Sequence, residues 1–341
     1  GDPQQPREPV APGGLVVLES ALPQGIPSAH TALRSTGRRL ALARLLTDPR
    51  HPLVARVLVN RFWHHTFGVG LVTSLSDFGA LGERPSHPDL LDWLASEFVA
   101  QGWRLKPFLR QLVVSAAYRQ GTTNPRAAEA DPDNRLLGRR VLRRLDAEAL
   151  RDGMLAVSGR LNAGMFGKAV PTAVSPRGQV VVGAQNRDGN GDPTTVASLG
   201  AEELRRSVYV TAKRSAPVGV METFDVAVPN PNCEVRPSST VALQSLLLMN
   251  DEFVLARATD LAERVVREAP SGPEAQIARA WWILFGTEPS MDETRRCIAY
   301  LRQQTRTLSE RDRGLTSRVE RLALESLCHA LLSANRFLYV E

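Results

Sequence analysis

Apolar residues recur at three- and four-residue spacing along most of the chain, and the breaks between these runs fall at Gly, Pro, Asn and Asp. Ser35 or Thr36 offers an N-cap hydroxyl to a first helix, which Leu40, Leu42, Ala43, Leu45 and Leu46 carry to Asp48-Pro49. Pro52 opens a second. Its apolar stripe is Leu53, Val54, Val57, Leu58 and Phe62, with Arg56, Asn60, Arg61 and His64 on a neighbouring face. Gly68 and Gly70 end that helix. Ser86-His87-Pro88-Asp89 has the form of a capping box, Ser86 as N-cap and Asp89 at the third helical position, and predicts a helix over about 87–100. Gly102 closes it, Pro107 starts another that ends near Tyr118, 120–132 reads as a linker, and a further helix runs from Asp146 to about Arg160.

The pattern then changes. From Asn162 to Leu204 the composition shifts to Gly, Pro, Asn and Thr, with one short strand expected at 179–182, so this stretch reads as a long insertion. Arg206 to Thr211 alternates like a strand, Val208 and Val210 opposite Ser207 and Tyr209. Helical spacing returns over about 239–249, 252–268, 273–285, 291–305 and 315–334, with capping boxes at Ser271 to Glu274 and Ser290 to Glu293, and Phe337 to Val340 forms a short terminal strand. The expected class is mainly α with a small β component, α+β. Its organisation is an extended proline-rich arm (1–34), a helical subdomain (35–161), the insertion (162–204) and a second subdomain of short strands followed by helices (205–341).

Composition narrows the function. A 43% apolar fraction with 23% charged residues belongs to a globular protein, and no apolar run reaches the roughly 18 residues of a membrane span. The first residues carry neither a basic nor an apolar signal region, which predicts no signal peptide and a chain cut from something longer. The net charge of +6 comes from arginine, since Lys106, Lys168 and Lys213 are the only lysines among 42 basic residues. GC-rich coding often produces that bias, and the 36 interspersed acidic residues argue against a nucleic-acid partner. Cys233, Cys297 and Cys328 lack any C-x-x-C spacing, which excludes a zinc knuckle or covalent haem; Cys328 is expected as a buried structural thiol. Asp188 to Asp192 alternates oxygen ligands, but Pro193 and Leu199 stand where a calcium loop needs Gly and Glu, so a surface turn is expected.

The segment from Asn60 to Trp93 holds three of the six histidines on and after an apolar helix, where polar groups need buried partners or a ligand. His64, Asp77 and His87 are candidate acid/base or metal-binding groups if the glycine-rich loop folds back on the helix, with Asn60 and Arg61 as candidate ligand-binding residues; no established metal-ligand spacing is matched. Polar packing is the competing explanation. Arg206, Lys213, Arg214, Asp225 and Arg236 form a second constellation, whose cations suit carboxylate, sulfate or phosphate groups unless they pair with Glu222, Asp225 and Glu234.

Taken in order, Arg44-Leu45-Leu46-Thr47-Asp48-Pro49, Asn60-Arg61-Phe62-Trp63, Phe67 to Val72, Asp77-Phe78-Gly79 and Pro85 to Trp93 closely resemble the planctomycete-specific PSD-one domain, a family of unknown function. Arg205 to Tyr209, Phe224-Asp225, Ser239-Thr240, Leu248 to Asp251 and Leu327 to Leu332 continue the resemblance over nearly the whole chain. The resemblance implies the C-terminal part of a large exported, extracytoplasmic protein, often with a cytochrome-c-like haem domain upstream and a carbohydrate-binding-like insert. It implies no cofactor in this chain, haem belonging to the missing upstream domain. Two readings follow: a structural or interaction module that holds neighbouring domains of the same polypeptide, or a hydrolase or redox enzyme acting on anionic polysaccharide through a His/Asp/Arg site. Positioning an electron donor for a cytochrome is a third.

Overall fold

The computed structural model describes residues 4–18, 22, 25–29, 34–227, 233, 235–311 and 318–340, and divides at Val141 into two units. Their fold is mainly helical with a minor β component. The first unit contains α1 (Arg38–Leu46), α2 (Val54–Phe67), α3 (Pro88–Ala100), α4 (Leu105–Val114) and α5 (Pro125–Ala130), the last within the stretch expected to be a linker. Its core is the shared face of α2, α3 and α4: Val59 and Trp63 meet Leu91, Leu94 and Phe98, with Phe108 and Leu112 closing the third side. Aromatic rings set the spacing. Phe98 meets Phe62, Trp103 and Phe108 at centroid distances of 5.7, 5.5 and 5.1 Å, each edge-on, the arrangement ring quadrupoles favour.

Helix starts in this unit differ from the sequence expectation. Gly37, not Ser35 or Thr36, precedes α1, and no side chain caps it. Ahead of α2, His51 Nδ1 accepts hydrogen bonds from the backbone N–H groups of Leu53 (3.2 Å) and Val54 (3.3 Å), which gives that imidazole the work of a cap. The Ser86 capping box does not form: His87 is the N-cap residue of α3, and the Ser86 hydroxyl lies 3.0 Å from His87 Nδ1 instead of on a helix N–H.

The second unit contains β1 (Arg143–Arg144), α6 (Ala147–Val157), β2 (Thr172–Val174), β3 (Val180–Val182), β4 (Ala184–Arg187), β5 (Pro193–Ala197), α7 (Gly219–Thr223), α8 (Ala242–Asn250), α9 (Glu252–Glu268), α10 (Pro273–Phe285), α11 (Met291–Arg311), α12 (Val319–Leu332), α13 (Asn335–Leu338) and β6 (Tyr339–Val340). The strands form antiparallel two-stranded ribbons. β1 pairs with β6 (Arg143 opposite Val340), β2 with β3 (Ala173 opposite Val181) and β4 with β5 (Gln185 opposite Val196). Asp188 to Asp192 forms the turn of the last hairpin, as a surface turn should. The stretch expected to hold one strand therefore holds two hairpins. Ser207–Tyr209 is a single 3-10 turn rather than part of a strand, and Val208 stands exposed.

The core of this unit is helical. Leu261 and Val265 of α9, Ile277 of α10, Leu332 of α12 and Met154 of α6 are all fully buried in it. The expected boundaries of α9 and α10 hold, as does the Ser290 capping box, in which the Ser290 hydroxyl accepts from the Glu293 N–H (3.2 Å) and Glu293 Oε2 accepts from the Ser290 N–H (2.7 Å). At the other box, Gly272 precedes α10 with no side-chain cap. Cys328 is buried, and burial pushes its thiol up to about 12, the signature of an inert core sulfur. Truncating Leu261→Ala should lower the unfolding free energy by about 2–5 kcal/mol in urea titration. The same change at half-exposed Leu40 should stay within about 0.5 kcal/mol, and equal losses would refute this placement of the core.

Candidate functional site

The polar residues of the first constellation sit on α2 and the loop after it. Gly68, at φ 93°, ends α2 in the left-handed region and donates its N–H to the His64 carbonyl at 2.7 Å. The loop then returns to the helix through Asn60. This side chain is fully buried, donates from Nδ2 to the Val72 carbonyl at 2.8 Å and accepts the Val72 N–H on Oδ1 at 2.9 Å. Between them Gly70 leaves no room: a Cβ there would lie 2.4 Å from the Val72 carbonyl oxygen and 3.1 Å from Asn60 Nδ2. Asn60 thus pairs a backbone segment that has no strand or helix partner, which is how a buried amide is satisfied.

The rest of the loop is fastened from within. Asp77 Oδ1 accepts the Gly79 N–H at 2.8 Å, and the Asp77 carbonyl accepts the Ser74 hydroxyl at 2.7 Å. Ser74 Oγ in turn accepts the Glu83 N–H at 2.9 Å. His87 faces the Ser86 hydroxyl, the His64 ring meets His65 edge-on at 5.4 Å, and neither of those adjacent histidines is without a partner. Arg56, beside this face, joins α2 to α3 through Asp92 at 2.6 Å. Among the described residues no group of three or more His, Cys, Asp or Glu side chains is placed to hold a metal ion, so His64, Asp77 and His87 do not make a metal cluster.

The second constellation belongs entirely to the second unit, apart from the acid/base candidates of the first. Arg206 lies 3.6 Å from Asp152, Lys213 donates to the Thr172 carbonyl at 3.2 Å, and Arg236 pairs with Glu148 at 2.5 Å. Arg214 is exposed on the wall of a small cavity of about 100 Å3 shared with Lys213. Asp225, held at φ +60°, accepts Arg144 Nη2 at 2.7 Å and the Ser239 N–H at 2.7 Å, while Ser239 Oγ reaches both its carboxylate oxygens. Burial pushes the Asp225 carboxyl up, but the Ser239 backbone and hydroxyl bonds and the Arg144 guanidinium outweigh it, holding it below the usual carboxylate value. Cys233 is half-buried, with Sγ 3.5 Å from the Val235 carbonyl.

Sequence reading missed the most buried cation among the described residues. Arg151 on α6 is 2% exposed and donates to the carbonyls of Arg205 (2.9 Å) and Glu203 (2.6 Å) and to Ser207 Oγ (3.2 Å). It also lines a cavity of about 410 Å3 with β3, α7 and the start of α9. Its one sequence signal is an arginine on the apolar face of α6, between Leu150 and Met154. The carboxylate of Asp251 at that cavity caps α9, accepting the Phe253 N–H at 2.9 Å, and burial raises its pKa.

Comparison with known proteins returns one family model, PSD1, described as a protein of unknown function (DUF1553), which matches residues 38–301 of the 341. No curated protein and no solved structure matches the chain.

Replacing Asn60→Leu should destabilise the first unit by about 1–3 kcal/mol for each Val72 group left unpaired, read as a lower urea midpoint; an unchanged midpoint would mean the loop does not depend on this amide. For Asp225 the folded pKa lies below the unfolded one, so its stabilisation is full above about pH 4 and is lost as pH falls through the folded value. Asp225→Asn should therefore cost stability at neutral pH and flatten the acid limb of the stability profile. Identical acid limbs would count against the Asp225 network.

Proposed function

The chain belongs to the PSD1 family of proteins of unknown function (DUF1553), and from that premise we propose that it is an interaction module of a larger exported protein rather than its catalytic part. One observation carries this reading: six of the ten chemically suggestive side chains are spent on the fold. Asn60 and Asp77 hold backbone N–H groups, Asp225 holds Arg144 and Ser239, and Arg206, Lys213 and Arg236 have acceptors within their own unit. Ionic groups used in this way fix surface shape, which a docking module needs, and leave few free groups for bond breaking.

The neighbour in this reading is a cytochrome-c-like domain upstream in the same polypeptide, and the setting is the extracytoplasmic side of a planctomycete-type cell. Both come from the family associations set out above. Haem chemistry then resides in the neighbour. No helix among the described residues is long and apolar enough to cross a membrane. The competing reading is an enzyme, with His64, Asp77 and His87 as acid/base groups and the arginines clamping anionic polysaccharide.

Mixing this chain with the separately produced haem-bearing segment of its own polypeptide tests the reading by sedimentation velocity. A short linker supplies an effective concentration in the millimolar range, so a Kd below about 1 mM is the expected result. Free sedimentation of both species at that concentration would sink the proposal.

A further inference from the structure

The cavity of about 410 Å3 in the second unit is lined by none of the candidate site residues read from the sequence. Its volume falls in the range of sites for small organic molecules, roughly 300–1,000 Å3. One side is apolar, built by Val180, Val182, Val220, Leu247 and Phe253. The polar part of the lining takes in four acidic residues, Glu203, Glu222, Asp251 and Glu252, and two arginines, Arg151 and Arg257.

The guanidiniums are already engaged. Arg151 donates to the Arg205 and Glu203 carbonyls and to Ser207, and Arg257 donates to Asp260 from Nε at 2.9 Å and from Nη2 at 2.6 Å. Both stand over the Phe253 ring, at 5.5 and 5.3 Å from its centroid. Three of the carboxylates have partners as well: Asp251 accepts the Phe253 N–H, Glu203 the Leu199 N–H, and Glu252 pairs with exposed Arg177. The Glu222 side chain, on α7 at the rim, takes no hydrogen bond or ion pair from the described residues. The lining thus has an excess of negative charge, one carboxylate in reserve, and an apolar wall beside it.

We propose that this cavity binds an amphipathic organic cation, its ammonium or guanidinium group at Glu222 and its hydrocarbon body against the β3 valines and Phe253. The sign follows from the arithmetic of the lining. An anion of the same size would find both guanidiniums committed and meet the one uncommitted carboxylate, Glu222, and a wholly polar cation would leave the valine wall wet. Selectivity here is opposite to that of the anionic polysaccharide clamp read from the arginines of the sequence. The proposal is independent of docking to a neighbouring domain, so either can fail without the other.

Titration calorimetry on the full chain with 2-phenylethylamine, 2-phenylethanol and phenylacetate separates the outcomes, the three probes sharing a body and differing in charge. The amine should bind, and phenylacetate should not. Glu222→Gln should weaken the amine about tenfold, the equivalent of roughly 1.4 kcal/mol. Ala256→Trp, placed at an exposed position of α9 on the cavity wall, should abolish binding while circular dichroism stays unchanged. The proposal is overturned by phenylacetate or 2-phenylethanol binding as tightly as the amine, by no amine binding up to about 10 mM, or by wild-type affinity in both folded variants.

Discussion

Backbone carbonyls in irregular segments have to be satisfied, and in this protein the arginine guanidinium does much of that work. Arg151 is the central case. Buried on α6, it takes the carbonyls of Arg205 and Glu203 at the end of the long Gly- and Pro-rich stretch and so fastens a region with little apolar periodicity to the helical core. Arg205, itself buried beneath the Tyr209 ring at 4.0 Å, donates onward to the carbonyls of Gly164, Phe166 and Lys168. Burial pulls the Arg151 pKa down to about 10 with Asp152 opposing that shift, so the group stays ionised at neutral pH, where charged donors make the stronger bonds.

The same device recurs beyond that region. Arg264 caps the C-terminal carbonyls of α6 at Ala156 and Val157, Arg139 takes those of Asp131 and Pro132, and Arg144 takes that of Phe224. A planar fork with five donors suits this role better than an ammonium, which gives the excess of arginine over lysine a structural use. Arg151 and Arg205, which do this work above all, are buried, whereas Arg206, Arg214 and Arg236 of the anion-binding face read from the sequence stay exposed. The cavity of the second unit that pairs an apolar wall with polar groups is instead lined by Glu203, Glu222, Asp251 and Glu252.

Periodicity made the long helices legible. The limits of α9 and α10 follow from apolar spacing and flanking Gly and Pro, and the Ser290 box formed because its Glu293 reaches back to the first residue. Local rules failed where a longer-range contact overrode them. The alternation over Arg206 to Thr211 promised a strand, but Asp152 takes both the N–H and the hydroxyl of Ser207 and bends the segment into a 3-10 turn. The hairpins between residues 172 and 197 were hidden because side-chain amides such as Gln185, which accepts the Val174 N–H, help hold them in place of an apolar stripe. Within the site region, Asn60 announced itself as a polar residue on an apolar helix; its partner Val72 did not, because nothing in sequence spacing says where a glycine loop turns back. The cavity was invisible for a related reason, its walls coming from residues as far apart as Arg151 and Arg257.

The ribbon of β1 and β6 places Arg143 opposite Val340, so the strand that enters the second unit lies against the strand that leaves it. Two consequences are mechanical and temporal. Tension applied at these two points would act across adjacent hydrogen bonds and open them one pair at a time, the weak direction for a β ribbon, before any load reached the helices. During synthesis, the clasp cannot close until nearly 200 residues have followed β1 out of the ribosome, so the earlier helices of the unit, from α6 to α9, are free to begin packing before it is clasped.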